Sequence, residues 1–283
     1  MPRVIRRKEA MSSTLRKAVI LARGLGKRMR APEPGVKLTP EQADSAASGT
    51  KGMIGFASRP FLDYILTRLA EAGIGEICLV IGPEHEQIRK YYAHSRMQRI
   101  QVTFAVQEEP RGTADAILCA EKFAAGECFL SLNSDNLYPV SAIKALKELN
   151  APGLPAFELE ALIRKSNISR ERFTNYALLE IGEDGFLRNI LEKPDAATFA
   201  SRPKPVYVSV NLWCFGPGIF EACRRVAPSP RGELELPLAV QFAISNLGER
   251  FRTLPFHDGI LDLSLRADIS TVAERLAGIE VKL

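Results

Sequence analysis

The chemically most informative stretch of the sequence is a short aliphatic run that opens into a glycine-rich, cationic turn. Residues 18–21 have the composition of a buried strand. Gly24 and Gly26 follow, and two glycines one residue apart let a backbone turn tightly and bring its N–H groups against an anion. Lys27 and Arg28 add cations to the same turn. The combination predicts a polyphosphate-binding loop, with a basic tight turn as the structural alternative.

Two common phosphate-binding motifs are absent from this turn. A Walker loop requires Gly-Lys followed by Ser or Thr, and that sequence does not occur in the chain. A dinucleotide-binding fingerprint requires a third glycine at the position of Met29. We therefore expect the loop to hold phosphates in a way that differs from both motifs.

Three further clusters could carry chemistry. Asp135 follows a second buried run, where a carboxylate can hold Mg²⁺ or simply form a turn. Gln107 precedes a turn that contains Gly112, so its amide could pair with a nucleobase edge, or the segment could be an ordinary strand-turn-helix link. Glu192 and Lys193 are adjacent and could bind sugar hydroxyls and a phosphate, or form a solvated surface pair.

Composition and charge limit the classes of protein to which the chain can belong. Its 283 residues are 46% hydrophobic and 25% charged, which is ordinary for a globular protein. Much of the net charge of +5 lies in residues 1–16, which we expect to form a loose basic tail and not a signal peptide. No stretch approaches about 18 apolar residues, and the interior has no basic stripe interleaved with aromatics. We therefore expect neither a membrane span nor nucleic-acid binding.

The spacing of the cysteines and histidines matches no metal or disulfide motif. The five cysteines show no C-x-x-C pattern, and the three histidines are scattered. We expect reduced, mostly buried thiols in a cytoplasmic protein.

The order of the predicted elements indicates the fold class. Between residues 17 and 132, strand-like and helix-like segments alternate, which is typical of a mostly parallel sheet covered on both faces. Since ligands of such sheets lie beyond the carboxyl ends of the strands, the glycine turn, Gln107 and Asp135 should gather at one edge. A Gly-Glu-Asp-Gly turn at 182–185 predicts a β-hairpin. Residues 31–50, rich in Pro, Gly, Ala and Ser, are predicted to form a flexible loop inserted in a single domain of residues 17–283.

Together these pieces resemble the sugar-1-phosphate nucleotidylyltransferase family, the sugar-nucleotide pyrophosphorylases, which include glucose-1-phosphate thymidylyltransferases. Each motif is weak alone, but the motifs occur in the family order from about Lys17 to the C-terminus. The resemblance implies an α/β fold with a Rossmann-like, doubly wound, mostly parallel sheet of the GT-A-like nucleotidyltransferase type, with an inserted sugar-binding β region. The matching stretches are 21–29 (LARGLGKRM), 51–62 (KGMIGFASRPFL), 107–116 (QEEPRGTADA), 133–136 (NSDN), 192–194 (EKP) and 231–235 (RGELE).

The resemblance also implies an Mg²⁺-dependent enzyme that couples a sugar-1-phosphate to a nucleoside triphosphate and releases pyrophosphate. It assigns catalytic roles to Arg28, which would grip the triphosphate, and to Lys51, which would bridge the α-phosphate and the sugar phosphate. Asp135 and Asp262 would hold Mg²⁺. The nucleotide would be bound by Leu21, Ala22, Gly24, Gly26, Lys27, Gln107, Gly112 and Thr113, and the sugar by Tyr176, Glu192, Lys193, Ser209 and Asn211.

Several points stay open at the level of sequence. Lys37 has the usual family spacing from Arg28, whereas Lys51 matches the downstream pattern in register, and we favour Lys51. Gln107 and the β-branch of Thr113 favour UTP or dTTP over ATP and GTP, with no choice between the two pyrimidines. The identity of the sugar and the formation of a homo-oligomer stay open too.

Two other classes of protein are alternatives. A GT-A glycosyltransferase with a nucleotide-sugar donor would need a D-x-D metal site, and residues 133–135 have only the last acid. A non-catalytic, pyrophosphorylase-like regulatory subunit would be expected to lose the cationic and metal-binding residues, which this chain retains.

Overall fold

Alternating strands and helices build a ten-stranded sheet in this computed structural model, which describes residues 14–24, 26–31, 35–36 and 38–283. The strands are β1 Lys17–Leu21, β2 Gly55–Phe56, β3 Arg59–Pro60, β4 Glu76–Ile81, β5 Gln101–Val106, β6 Phe129–Asn133, β7 Asn136–Leu137, β8 Gly153–Glu158, β9 Ala177–Ile181, β10 Leu187–Leu191, β11 Tyr207–Ser209, β12 Trp213–Phe215, β13 Arg252–Phe256 and β14 Leu261–Asp262.

Within the described residues, the helices lie between these strands or after the last of them, and two 3₁₀ turns, Lys51–Met53 and Arg170–Asn175, interrupt the loops. The helices are α1 Lys27–Arg30, α2 Pro40–Ser48, α3 Phe61–Glu71, α4 Glu86–His94, α5 Thr113–Cys119, α6 Glu121–Ala124, α7 Val140–Leu149, α8 Leu159–Lys165, α9 Ala196–Ala200, α10 Gly218–Arg225, α11 Leu236–Leu247 and α12 Asp268–Leu276.

The sheet has a parallel half and an antiparallel half. Its strand order is β10-β9-β11-β8-β12-β6-β1-β4-β5, with β13 added to β8. Strands β6, β1, β4 and β5 are parallel, while β12, β11, β9 and β10 join through antiparallel pairs. The second half of the chain therefore extends the sheet that the first half begins.

Helices cover both faces of the sheet. This is shown by successive side chains of one strand, which belong to different buried clusters. In β1, Ala18 and Ile20 belong to one buried cluster, which includes residues of α3, whereas Val19 belongs to a second cluster, which includes residues of α5 and α11. Because successive side chains of a strand point to opposite faces, two separate cores need two covered faces. The predicted doubly wound α/β fold is confirmed.

Several predicted elements have the expected type, with differences at their ends. The hairpin around the 182–185 turn is confirmed, because β9 and β10 pair antiparallel. The chain breaks between β11 and β12 at Asn211, whose φ is 61°. This left-handed backbone cannot continue a strand, and Asn is one of the few side chains that adopts it readily.

The prediction of a loop over residues 31–50 is wrong for residues 40–48, which form helix α2. Its start has a complete capping box: the Thr39 hydroxyl accepts from the Gln42 backbone N–H at 3.3 Å, and the Gln42 side chain accepts from the Thr39 N–H at 3.2 Å. Pro40 then occupies the first helical position. These start signals were present in the sequence, and the small-residue composition obscured them.

None of the helices within the described residues is long and apolar enough to span a membrane.

A buried histidine makes the stability of the region beside β4 depend on pH. The Gly82 N–H donates to the His85 Nδ1 at 3.0 Å, and burial lowers the pKa of His85 although Glu84 opposes this. Because the folded state disfavours the imidazolium, neutral His85 contributes its full share to the free energy of unfolding above the unfolded pKa of about 6.5. This share is lost as pH falls below that value. We expect His85→Asn, which can still accept from Gly82, to make the free energy of unfolding less dependent on pH.

Urea unfolding of the wild type and of His85→Asn at pH 7.5 and 5.5 measures how the free energy of unfolding depends on pH. The exposed His94 supplies the control variant His94→Asn, which should behave as the wild type. An unchanged pH dependence in His85→Asn would show that other groups are responsible.

Candidate active site

The site forms at the carboxyl edge of the four parallel strands, where backbone hydrogen bonds hold their loops together. After β1, the Ala22 N–H donates to Val80 O in β4 at 2.8 Å. The Ser134 N–H, after β6, donates to Leu21 O at 3.3 Å, and the Gln107 N–H, after β5, donates to Ile81 O at 2.9 Å. The glycine turn, Gln107 and Asp135 therefore meet at one edge, as predicted for a parallel sheet.

Three cavities open along this edge, and one of about 200 Å³, lined in part by Ala22, Lys51 and Asp135, shares lining residues with the other two. The larger cavity has a volume of about 320 Å³, and the aspartate cavity has a volume of about 110 Å³. The larger cavity is lined by Leu21, Arg23, Gly24, Gly26, Lys27, Arg28, Lys51, Gln107, Pro110, Gly112, Thr113, Ala116 and Glu233. The aspartate cavity is lined by Arg28, Asn133, Asp135, Asn136, Arg172, Asn175, Tyr176, Asn211, Asp262 and Ser264.

The glycine turn is shaped by its contact with the end of α2. Gly26 has a φ of 57°, and a Cβ at that position would lie 2.3 Å from Gly49 O. Only glycine fits both the left-handed backbone and this close approach. Lys27 and Arg28 begin α1 directly after it and are exposed. Arg28 lines both the larger cavity and the aspartate cavity, and within the described ranges no hydrogen bond or ion pair holds its guanidinium.

Lys51 lies at the centre of the site. It begins a 3₁₀ turn, and its Nζ forms an ion pair with Asp135 Oδ2 at 2.7 Å. The next residue, Gly52, lies close to the Ser134 carbonyl, to which a Cβ would approach within 3.6 Å. Lys51 therefore lies beside the loop that follows β6. Lys37 lies outside the described residues.

Asp135 and Asp262 line the same cavity, and each forms an ion pair with a basic side chain. Asp262 is placed by the antiparallel pair β7–β14, in which it lies opposite Asn136. Arg172 forms an ion pair with Asp262 and a second one with Asp268, the latter at 2.7 Å. Burial raises the pKa of Asp262, and the nearby Asp135 raises it further while Arg172 opposes both. Two carboxylates at this end of the site thus repel one another and attract positive charge.

Arg172 is a site residue that the sequence reasoning missed. It lies in the 3₁₀ turn Arg170–Asn175, four residues before Tyr176. Its position next to the predicted sugar-binding tyrosine was the available signal, but nothing local to the sequence shows that it reaches Asp262. Across the described ranges, no group of three His, Cys, Asp or Glu side chains forms a candidate metal centre.

The donors of Gln107 are occupied by the protein itself. Its Nε2 donates to Gly112 O at 3.0 Å and to Asp115 Oδ2 at 2.8 Å, and the residue is only 3% exposed. Both partners are acceptors, so the amide nitrogen must face them and the Oε1 oxygen is the end left for a ligand. Gln107 therefore offers only its Oε1 acceptor to the larger cavity. A free amide would offer a donor and an acceptor side by side.

Gly112 and Thr113 hold the segment before α11 against the site. Gly112 has a φ of 121°, and a Cβ there would lie 2.4 Å from Leu234 O. The Thr113 hydroxyl accepts from the Leu236 N–H at 2.8 Å. Both residues line the larger cavity as predicted, and their conformation and hydroxyl are set by this packing.

The residues predicted to line the sugar do not lie together. Tyr176 and Asn211 line the aspartate cavity, and the Tyr176 hydroxyl donates to Asp262 Oδ2 at 3.4 Å. Ser209 is 2% exposed, and its hydroxyl accepts from the Asn211 N–H at 3.3 Å. Lys193 Nζ lies 4.0 Å from Glu192 Oε1. Neither residue is among the described residues that line these cavities.

The environment of the Glu192–Lys193 pair differs from that of a solvated surface pair. Burial raises the pKa of Glu192, an effect that Lys193 opposes and Glu235 reinforces. Glu235 itself forms an ion pair with Arg231 at 2.7 Å. The 192–194 and 231–235 stretches therefore form one charged cluster.

Comparison with known proteins gives the family. The Nucleotidyl transferase family model matches residues 17–253, from β1 into β13. The chain belongs to this family. Its match begins at the strand that carries the glycine turn and includes Arg28, Lys51, Gln107 and Asp135.

Individual nucleotidyl transferases show the degree of similarity. The low-salt glycan biosynthesis nucleotidyltransferase Agl11 of Haloferax volcanii is 25% identical over 229 residues, 80% of this chain and 56% of that protein. A glucose-1-phosphate thymidylyltransferase of Streptomyces antibioticus is 28% identical over 230 residues, 81% of this chain and 58% of that protein. The chain thus spans little more than half the length of both. The UTP--glucose-1-phosphate uridylyltransferase AglF of Haloferax volcanii is 26% identical over 262 residues, 92% of this chain and 96% of that protein.

A solved structure gives the same fold. A UDP-glucose pyrophosphorylase complexed with UDP-glucose superposes with a TM-score of 0.71, covering 92% of this chain and 98% of that chain, at 17% identity.

The close approach at Gly112 predicts a specific loss of stability. We expect Gly112→Ala to reduce the free energy of unfolding by about 2–5 kcal/mol, because it combines left-handed strain with a clash against the Leu234 backbone. Gly126 has a φ of 79° with no atom within 4 Å of a Cβ, so Gly126→Ala carries the strain alone and should cost about 1–2 kcal/mol. Chemical denaturation of both variants measures the difference, and equal losses would contradict the packing role.

Proposed function

We propose that this nucleotidyl transferase couples a sugar-1-phosphate to UTP or dTTP and releases pyrophosphate. The observation that carries the proposal is the placement of Arg28, which lines both the larger cavity and the aspartate cavity, beside the Lys51–Asp135 pair. Arg28 and Lys51 thus place positive charge where the larger cavity meets the aspartate cavity. This arrangement fits a reaction that joins two phosphates. The names of the thymidylyltransferase and uridylyltransferase relatives support the same reaction class.

The chemistry needs charge neutralisation more than proton transfer. A phosphate oxygen of the sugar-1-phosphate attacks the α-phosphorus, and the bond from that phosphorus to the bridging oxygen breaks, so the electron pair leaves with pyrophosphate. The nucleophile is already an anion, so no general base is required. Lys51 would lie against the α-phosphate and the incoming phosphate, and Arg28 against the departing pyrophosphate.

The donor set in the aspartate cavity fits Mg²⁺, a hard cation that prefers oxygen ligands. Asp135 and Asp262 would hold it, since both carboxylates line this cavity and a cation between them would relieve their mutual repulsion. When bound, Mg²⁺ would neutralise part of the triphosphate charge. In its absence Lys51 and Arg172 neutralise the two carboxylates.

The acceptor presented by Gln107 supports a base with an N–H on its pairing edge. Uracil and thymine carry such a group at N3, whereas adenine and cytosine carry ring-nitrogen acceptors at the equivalent position. Guanine also carries an N–H, but a purine needs more room beside Pro110 and Thr113, which line the cavity. We therefore favour UTP or dTTP.

Sugar binding is proposed for Tyr176 and Asn211 in the aspartate cavity and for the cluster around Glu192 and Lys193. In that cluster Lys193 would bind a phosphate and Glu192 would bind sugar hydroxyls. Ser209 would act by positioning Asn211. A cytoplasmic location is proposed on the five cysteines, all of which are free in the structure.

The role of Lys51 gives the first test of the proposal. Removing a preorganised cation from the reacting phosphates costs about 10²–10³ in rate, so Lys51→Ala should lower pyrophosphate release by that factor. Lys37→Ala is the matched control and should retain activity. The measurement is steady-state release of pyrophosphate from UTP or dTTP with a sugar-1-phosphate, and a loss confined to Lys37→Ala would reverse the assignment.

The carboxylate pair gives a second test. Asp135→Asn preserves the shape of the side chain but removes its charge, so turnover should fall by about 100-fold or more while circular dichroism shows that the protein stays folded. Asp44→Asn, on the exposed side of α2, should leave turnover intact. Undiminished pyrophosphate release by the wild type in excess EDTA would refute the metal assignment.

A further inference from the structure

A buried arginine in the larger cavity has no role in the reaction described so far. Arg23 directly follows β1, between Ala22 and Gly24, and it lines the larger cavity together with Gln107. Its side chain is only 8% exposed. A charged side chain that is this well buried at the wall of a ligand cavity is costly unless something compensates for its lost solvation.

The neighbouring strand is adapted to this arginine. Arg23 Nε lies 3.4 Å from Glu84 Oε1, and its Nη2 lies 3.5 Å from Glu84 Oε2. A Cβ on Gly82 would lie 2.5 Å from Arg23 Nε and 2.3 Å from Glu84 Oε2, so glycine leaves the room that the pair occupies. Both contacts are long, which leaves the guanidinium free to shift toward a ligand.

One nitrogen of the guanidinium is not used. Arg23 Nη1 is buried and has no hydrogen-bond partner among the described residues. Such a donor is expensive to leave unpaired, and a shift of the guanidinium into the larger cavity would bring it to an acceptor atom on a bound molecule.

The position of Arg23 indicates which part of a nucleotide supplies that acceptor. Arg23 follows β1, Glu84 follows β4 and Gln107 follows β5, and these strands are adjacent in the order β1-β4-β5. Lys51 and Asp135 lie on the other side, toward β6. Arg23 is thus on the Gln107 side of the cavity, and Lys51, proposed to hold the α-phosphate, is on the other side.

We propose that Arg23 is a specificity residue for the base, donating to a ring carbonyl beside the N–H that Gln107 accepts. This inference rests on the proposed nucleotidyl transfer and deepens it. A donor beside an acceptor matches a carbonyl next to a ring N–H, the edge of uracil and thymine. Cytosine presents the opposite arrangement there, an acceptor ring nitrogen beside an amino donor. The Arg23–Gln107 pair therefore selects UTP or dTTP over CTP by hydrogen-bond polarity.

Binding measurements on the full chain separate this role from a phosphate-gripping role. We would measure dissociation constants for UTP, CTP and inorganic tripolyphosphate by calorimetry with the wild type, Arg23→Ala, Arg23→Lys and the exposed control Arg96→Ala. A hydrogen bond from a charged donor corresponds to about 10- to 100-fold in affinity, so Arg23→Ala should weaken UTP by that factor and lower the UTP-to-CTP preference. Affinity for tripolyphosphate should stay within about twofold, and Arg96→Ala should match the wild type.

Each outcome decides the point. An equal loss for UTP and tripolyphosphate would make Arg23 a phosphate ligand and overturn the inference, as would an unchanged UTP-to-CTP preference. Arg23→Lys keeps the charge beside Glu84 without the planar fork, so a selective loss in this variant with an unchanged unfolding midpoint would support the inference even if Arg23→Ala unfolds. Selective UTP binding without pyrophosphate release would refute the proposed transfer and leave the role of Arg23 standing.

Discussion

The pairing of β1 with β4 on one side and β6 on the other is the constraint on which the site depends. Both pairs are parallel, with Leu21 opposite Val80 and Asn133. Because the three strands end at one edge, the glycine turn cannot move without moving Asp135 on one flank and the Arg23–Glu84 pair on the other. The antiparallel half of the sheet then brings Tyr176 to the same edge, and the separate β7–β14 pair brings Asp262 there from a distant part of the chain.

Opposite charges at this edge hold one another in the absence of substrate. Lys51 pairs with Asp135, Arg172 with Asp262, and Arg23 with Glu84. Partly buried charges are costly when they are unpaired, and each of these pairs gives a charged side chain a partner. The proposed triphosphate and divalent cation would therefore compete with these pairs.

Much of the fold followed from local patterns. The alternation of strands and helices up to residue 132 indicated the parallel sheet, and the turn at 182–185 indicated the hairpin, because both signals depend on neighbours in sequence. The break at Asn211 and the parallel addition of β13 to β8 depend on contacts between distant segments, and no local pattern showed them.

Some features of the candidate site could likewise be predicted from the sequence, and others could not. Motifs near strand ends identified Arg28, Lys51, Gln107 and Asp135, which the structure places around the larger cavity and the aspartate cavity. The sequence could not show that Gly112 and Asp115 accept from the Gln107 amide or that Arg172 reaches Asp262 across 90 residues of chain. It also could not show that Gly82 makes room for Arg23, because each of these facts requires the three-dimensional packing.

Transfer of a labelled α-phosphate tests the central claim most directly. The purified chain would be incubated with Mg²⁺, a panel of sugar-1-phosphates and UTP or dTTP carrying ³²P at the α-position. The account predicts that the label appears in a nucleoside diphosphate sugar, with one unlabelled pyrophosphate released for each product molecule. Label that stays in the triphosphate with every sugar-1-phosphate, or that appears in free nucleoside monophosphate, would contradict it.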